Sequence, residues 1–233
     1  PWLSYEQVSL NQQAPIWKDD PALRSALAAA VDVGSVLAGP LHNRAPAASG
    51  PISPELSWAY NADLGAPRFQ VDQARAALEA DGWVAGADGI RARAGQRLQF
   101  TLSAVADSPL RAAEEEILVA GWRQAGADVR VQDFAAGELF GAFAGNGVLA
   151  RGRYDAALFA WISPADPDGA FPTLHSSGIP SAQNPGGENF SRCANPALDA
   201  DLAAGRATLD RAQRAAAYRD LQVQYRKATC EVP

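Results

Sequence analysis

Behind Asp155 the chain runs Ala156-Ala157-Leu158-Phe159-Ala160-Trp161, with no polar side chain among them. A strand of that composition has no face to offer to water, so it belongs in the middle of a sheet covered on both sides. The segments around it alternate in kind. Tyr5 to Leu10 alternates as a short strand, Leu98, Phe100 and Leu102 mark another, and Val129 with Val131 a third. Asp20-Pro21, Ser108-Pro109 and Asn195-Pro196 each set a capping side chain before a proline suited to the first helical position. Leu23, Ala26, Leu27, Ala30 and Val31 then recur at helical spacing, and a short helix is expected from Val33 to Leu37. Asp72 is expected to cap the next helix, with Ala74, Ala77 and Leu78 facing inward. Gly82 supplies its left-handed stop and Trp83 the apolar contact that follows. Asp210 and Gln213 have capping-box spacing, ahead of Tyr218, Leu221 and Tyr225 on one helical face. The pattern predicts an α/β domain, residues 1–233 as a single unit, with helices on both faces of a mixed or mostly parallel sheet.

Charge narrows the partners. There are 20 Lys plus Arg against 26 Asp plus Glu, a net charge of −6, and no run of basic residues. Nucleic acid is therefore not an expected partner, since it needs a concentrated positive patch. No stretch approaches the roughly 18 apolar residues of a membrane span. Pro1 to Glu6 have neither the basic start nor the apolar core of a signal peptide, and the sequence reads as a piece of something longer. Between Gly39 and Phe69 five prolines punctuate a long crossing, but Ile52, Leu56, Trp58 and Tyr60 give it too much to bury for a linker. The two cysteines, Cys193 and Cys230, are compatible with one disulfide and equally with two buried thiols; a metal or redox site has no CxxC and no nearby histidine to build on.

The catalytic inventory is thin. His42 stands alone in the proline-rich crossing. His175 precedes Ser176-Ser177-Gly178, but a nucleophile elbow needs Gly-x-Ser-x-Gly with the histidine arriving later in the chain. Gly186-Gly187 is turn chemistry without the lysine of a phosphate loop, and Asp166 and Asp168 around Pro167 read as turn or cap residues. What remains suits binding. Ligands of α/β sheets lie beyond the carboxyl ends of strands, and there Trp161 runs into Ser163, Pro164, Asp166 and Asp168.

Several motifs, in order, resemble one family. Pro21 to Asp32, with Arg24, Ala26, Ala30 and Val31 at their places, is similar to a helix of the family 5 extracellular solute-binding proteins, the oligopeptide-, dipeptide- and nickel-type receptors of ABC importers. Val71 to Trp83, Gly152-Arg153-Tyr154-Asp155 followed by Trp161 and Asp166-Pro167-Asp168, Gly187 to Phe190, and Asn195 to Asp199 resemble later segments of that family. The resemblance implies the C-terminal lobe of a periplasmic-binding-protein type II fold, a mixed sheet with helices on both faces. It implies a solute, an oligopeptide or peptide-like, clamped by hinge closure against a second lobe. Phe159 and Trp161 would form the apolar wall, with Ser163, Asp166 and Asn189 as polar contacts, and neither cofactor, metal nor catalytic residue is implied. ABC permease subunits in the membrane would be the protein partner, and the location periplasmic or otherwise extracytoplasmic, which fits a Cys193–Cys230 disulfide. One departure matters. Peptide-binding members carry an aspartate three residues after the tryptophan, paired with the peptide's α-ammonium, where this sequence has Pro164. Two other readings stand beside transport: a ligand sensor of the same fold in a regulator, and a serine hydrolase using Ser176 or Ser177 with His175.

Overall fold

The computed structural model describes residues 4–162 and 165–233. Strand β1 (Ser4–Leu10) leads to α1 (Pro21–Ala28) and α2 (Val33–Ala38), and after the proline-rich crossing to α3 (Val71–Ala80). Three short strands follow, β2 (Val84–Ala85), β3 (Arg91–Arg93) and β4 (Gln96–Arg97), then β5 (Gln99–Ser103), α4 (Pro109–Ala125) and β6 (Asp128–Val131). Single-turn helices α5 (Ala136–Leu139) and α6 (Val148–Arg151) precede β7 (Ala156–Ile162); α7 (Phe171–Leu174), α8 (Pro196–Arg206), α9 (Arg211–Ala228) and β8 (Glu231–Val232) come after it.

The apolar run is the central strand. The main sheet has the order β6-β5-β7-β1-β8, with β5 parallel to β6 and β7, and β1 antiparallel to β7 and β8. Cross-strand pairs alternate between its faces. Val8 with Leu158 and Leu10 with Ala156 point into a core closed by Leu23 and Leu27 of α1 and Leu118 and Trp122 of α4. Within it Phe100 meets Trp17 and Trp122 edge to face, with ring centroids 4.8 and 5.2 Å apart. On the opposite face Ala157 and Phe159 pack under Leu139, Val148 and Leu149. The mixed sheet with helices on both sides is thus the architecture expected from alternation.

A third cluster explains the proline-rich crossing. Ile52 and Ala59 are buried against Leu198 and Leu202 of α8 and Tyr218, Leu221 and Tyr225 of α9, with Leu56, Trp58 and Tyr60 half-buried at the margin. The crossing therefore roofs the α8–α9 pair. Cys193 and Cys230 lie in the same cluster and are joined as a disulfide, Cα atoms 5.8 Å apart. The open question of the cysteines resolves to a cross-link, and closing a loop of 37 residues stabilises by about 3–4 kcal/mol in the chain-entropy model.

Caps form largely where the sequence put them. Asp20, Ser108, Asn195 and Asp210 each accept a backbone N–H at a helix start. The stop after α3 is a Schellman turn, with Gly82 at φ 85° and the N–H of Trp83 bonded to Leu78 O at 2.8 Å. Three expectations change. Helix α3 begins at Val71 behind Gln70, so Asp72 sits inside the first turn rather than at the cap, and Ala77 is exposed because Ala74 and Leu78 alone reach the core. The Asp210 box forms by half: Asp210 accepts from Gln213 N, while its own N–H goes to Thr208 Oγ1. The small sheet β2-β3-β4 had no alternating pattern to announce it, because its strands are two or three residues long. It is tied down by arginines: Arg91 donates to Trp83 O and Ala125 O, and Arg93 bridges Asp20 and Asp81 while lying over the Trp83 ring.

Buried acids remain. Glu114 and Glu115 lie on the inner side of α4, and Glu231 in β8 is only 3% exposed. Burial pushes the carboxyls of Glu115 and Glu231 up to about 8, and raises Glu114 as well. The folded chain therefore holds protons that the unfolded chain has released above its ordinary value of 4.5. The contribution of these acids to stability is expected to be fully present below about pH 4.5, to be lost as pH rises towards 8, and to level off above it. In urea melts with the disulfide intact, Glu231→Gln raises stability at pH 8.5 by roughly 2 kcal/mol and changes little at pH 5. A Gln variant no more stable than its parent at pH 8.5 contradicts a neutral buried acid.

Candidate functional site: a cleft at the carboxyl end of β7

The antiparallel register sets Tyr5 opposite Trp161 and Ser4 opposite Ile162, so the end of β7 and the start of β1 open on the same edge. Trp161 is half-buried there and stacks on Phe190 with centroids 5.5 Å apart and planes 20° from parallel. Phe159, 2% exposed, stands behind both rings, edge-on to Trp161 at 5.7 Å, Phe190 at 6.2 Å and Phe140 at 5.9 Å. Of the two expected wall residues, Trp161 therefore offers a surface and Phe159 props it from within. Ile162 next to it is 80% exposed. A cavity of about 440 Å³ opens here, with Tyr5, Ile52, Trp161, Ile162, Asp166 and Glu188 among its walls.

The polar contacts fare unequally. Ser163 and Pro164 lie outside the described residues. Asp166 lines the cavity, and its Oδ1 accepts from Arg214 at 2.5 Å and from the N–H of Asp168 at 2.9 Å. The hydrogen bond from Arg214 holds its carboxyl below the usual carboxylate range, so it stays ionised with part of its charge already answered. Asp168 pairs with Arg206 at 3.0 Å. Asp166 acts as a cap and an ion-pair group and Asp168 as an ion-pair group, in line with the turn reading. Asn189 corrects the expectation of a solute contact. It is fully buried, its amide donating to the carbonyls of Leu174 (3.1 Å), His175 (3.0 Å) and Cys193 (2.9 Å), and its Oδ1 accepting from Ser191 Oγ and Cys193 N. No donor is left for a solute; Asn189 instead fixes the loop that carries Glu188 and Phe190.

Tyr154 completes that fixture, its hydroxyl donating to Phe190 O at 2.5 Å. Neither Phe190 nor Tyr154 was picked out as a site residue, because each reads locally as an ordinary core aromatic; only their joint action on the wall gives them a role. The hydrolase candidates do meet, with His175 Nδ1 2.8 Å from Ser177 Oγ. The same nitrogen accepts the backbone N–H of Ser177 at 3.0 Å, and Asp199 is taken up by the N–H and hydroxyl of Ser176, 4.0 Å from the imidazole Nε2. The imidazole caps a one-turn 3₁₀ helix, and the carboxylate that would orient it serves Ser176. No group of three metal-ligating side chains occurs among the described residues.

The profile of the bacterial extracellular solute-binding proteins, family 5 (middle segment), matches residues 1–181. The chain belongs to the family 5 solute-binding proteins. Among curated relatives, Protein XP55 of Streptomyces lividans is 35% identical over 204 residues, which is 87% of this chain and 35% of that protein. Among solved structures, NikZ from Campylobacter jejuni in complex with Ni(L-His) superposes with a TM-score of 0.87 at 27% identity, over 99% of this chain and 44% of the other. The oligopeptide-binding protein of Thermus thermophilus, complexed with a pentapeptide, gives a TM-score of 0.89 at 19% identity, over 100% and 41% respectively. The fold is thus that of the periplasmic-binding-protein type II receptors, and the chain spans well under half the length of these family 5 relatives.

The two kinds of asparagine-loop residue separate by experiment. Asn189→Ala strands three carbonyls and is expected to lower stability by about 2 kcal/mol or more, whereas Glu188→Ala, at an exposed position, shifts it by under about 0.5 kcal/mol. Urea denaturation of the two variants checks both.

Proposed function

We propose that this chain is one lobe of the solute-capturing receptor of an ABC importer, and that it closes by a hinge on a peptide or peptide-like solute. The observation that carries the reading is the wall at the end of β7, where Trp161 and exposed Ile162 face open space while Phe159, Phe190 and Asn189 stiffen them from behind. A one-sided apolar surface of this kind suits a solute whose other side is covered by a second lobe. Membership of an extracellular family and the Cys193–Cys230 cross-link support work outside the cytoplasmic membrane, where disulfides persist, with the permease as protein partner.

Capture requires no catalytic group. Ser177 is accordingly expected to remain unlabelled by a fluorophosphonate probe; stoichiometric labelling lost in His175→Ala supports a hydrolase instead.

The solute is expected to lack a free α-ammonium. Pro164 has no side-chain acceptor, and the Asp166 carboxylate is shared with Arg214. Native mass spectrometry of the full-length protein purified from its host tests capture directly, since a trapped solute travels with it. Trp161→Ala is expected to weaken binding of that solute at least tenfold, read by calorimetric titration on protein still folded at the titration temperature, with a modest fall in melting temperature from the lost stack on Phe190. N-acetylation of a peptide solute is expected to change affinity less than threefold; a hundredfold loss sinks the assignment of a solute without a free amine.

A further inference from the structure

The other end of β7 holds a second polar pocket, lined by three arginines and one aspartate. Arg93, Arg97, Arg111, Arg206 and Arg214 meet carboxylates of other elements or turns. Arg151, Arg153 and Arg192 pair with no carboxylate among the described residues, and their guanidinium groups donate to backbone carbonyls alone. Arg151 bonds Phe143 O at 2.7 Å, Arg153 bonds Asn146 O, and Arg192 bonds Pro180 O at 3.1 Å and Ala150 O at 2.6 Å. All three line one cavity of about 430 Å³.

Arg192 is the telling member. It is 7% exposed, and its Nε has no hydrogen-bond partner. A buried guanidinium without a counter-charge is costly, and burial lowers its pKa from the ordinary value. The backbone makes room for it: Gly152 has φ 66°, and a Cβ there would collide with Arg192 Nε. The one carboxylate on the rim, Asp155, is turned to Thr101, whose N–H and hydroxyl it accepts at 2.8 and 2.9 Å. Three cations against one occupied acid leave the pocket positive on a chain whose net charge is −6.

We propose that this pocket binds a phosphate-type oxyanion between Arg192, Arg151 and Arg153. Planar guanidinium groups match such an anion by paired N–H donors, and a tetrahedral oxyanion fits well within the cavity. The site is separate from the solute cleft. The four residues Ala156 to Phe159 of β7 lie between them, roughly 16 Å from Asp155 to Ala160, since the pocket takes in Arg153 to Asp155 before β7 and the cleft begins at Ala160. Two sources share the chemistry: free phosphate, and the phosphodiester headgroup of an anionic lipid.

The test uses the full-length protein and its Arg151→Gln/Arg153→Gln variant, both changes lying at exposed positions. Calorimetric titration with inorganic phosphate at low ionic strength is expected to show saturable binding in the millimolar range or tighter. That binding weakens with added sodium chloride and falls at least tenfold in the double variant, while retained solute stays unchanged. Co-sedimentation is run in parallel with vesicles of phosphatidylglycerol and of phosphatidylcholine. Variant-sensitive binding to phosphatidylglycerol alone assigns the headgroup; variant-sensitive binding of free phosphate assigns the small anion. Saturable binding of neither, or binding that the double variant leaves intact, overturns the proposal, and because the solute cleft is measured separately neither result bears on the transport reading.

Discussion

Everything at the cleft depends on the pairing of β1 with β7. Seven residues of each strand lie in register, from Ser4 opposite Ile162 to Leu10 opposite Ala156, and both faces of the pair are buried over most of that length. A slip of one residue would turn Val8, Leu10 and Leu158 away from the core of Trp17, Phe100 and Trp122, and put Phe159 there instead. The hydrophobic cost of such a slip fixes where β7 ends, and with it the direction in which Trp161 faces. The geometry of the cleft wall is thus a by-product of a core decision made several residues earlier.

Polar groups complete what the core begins. Asn189 saturates the turn behind the wall, Tyr154 holds the carbonyl of Phe190, and Asp166 and Asp168 are clamped by Arg214 and Arg206 from the last two helices. The disulfide ties the segment carrying Asn189 to the end of α9, beside β8 on the edge of the same sheet. The cleft therefore rests on a frame drawn from the last third of the chain, between Tyr154 and Cys230, although few of its members meet the cavity.

Much of this was legible in the residues. The apolar run gave the central strand because six side chains in succession leave no wet face, and cap-plus-proline pairs placed helix starts because their chemistry is local. The motif resemblance identified the family that the profile match establishes. What escaped reading depends on distance in sequence. Asn189 entered as a ligand contact through the family resemblance; its three acceptors lie on residues 174, 175 and 193, which only the folded loop assembles. The β2–β4 sheet was invisible because its strands are too short for periodicity, and its docking rests on arginines reaching across the fold. Likewise no sequence window shows Arg192 next to Arg151 and Arg153.

The loop held by Asn189 also bears on how the wall of this cleft can vary. Its backbone is secured by side chains that point inward, while Glu188, Ile162 and the outer face of Trp161 bear on the cavity and little else. Substitutions at Glu188 and Ile162 alter the chemistry of the wall without touching the bonds that shape it, whereas Trp161 also carries the stack on Phe190. Replacements at Glu188 and Ile162 can therefore change the polarity of this wall while leaving its fold nearly unchanged, with the inward-facing asparagine as the fixed point behind it.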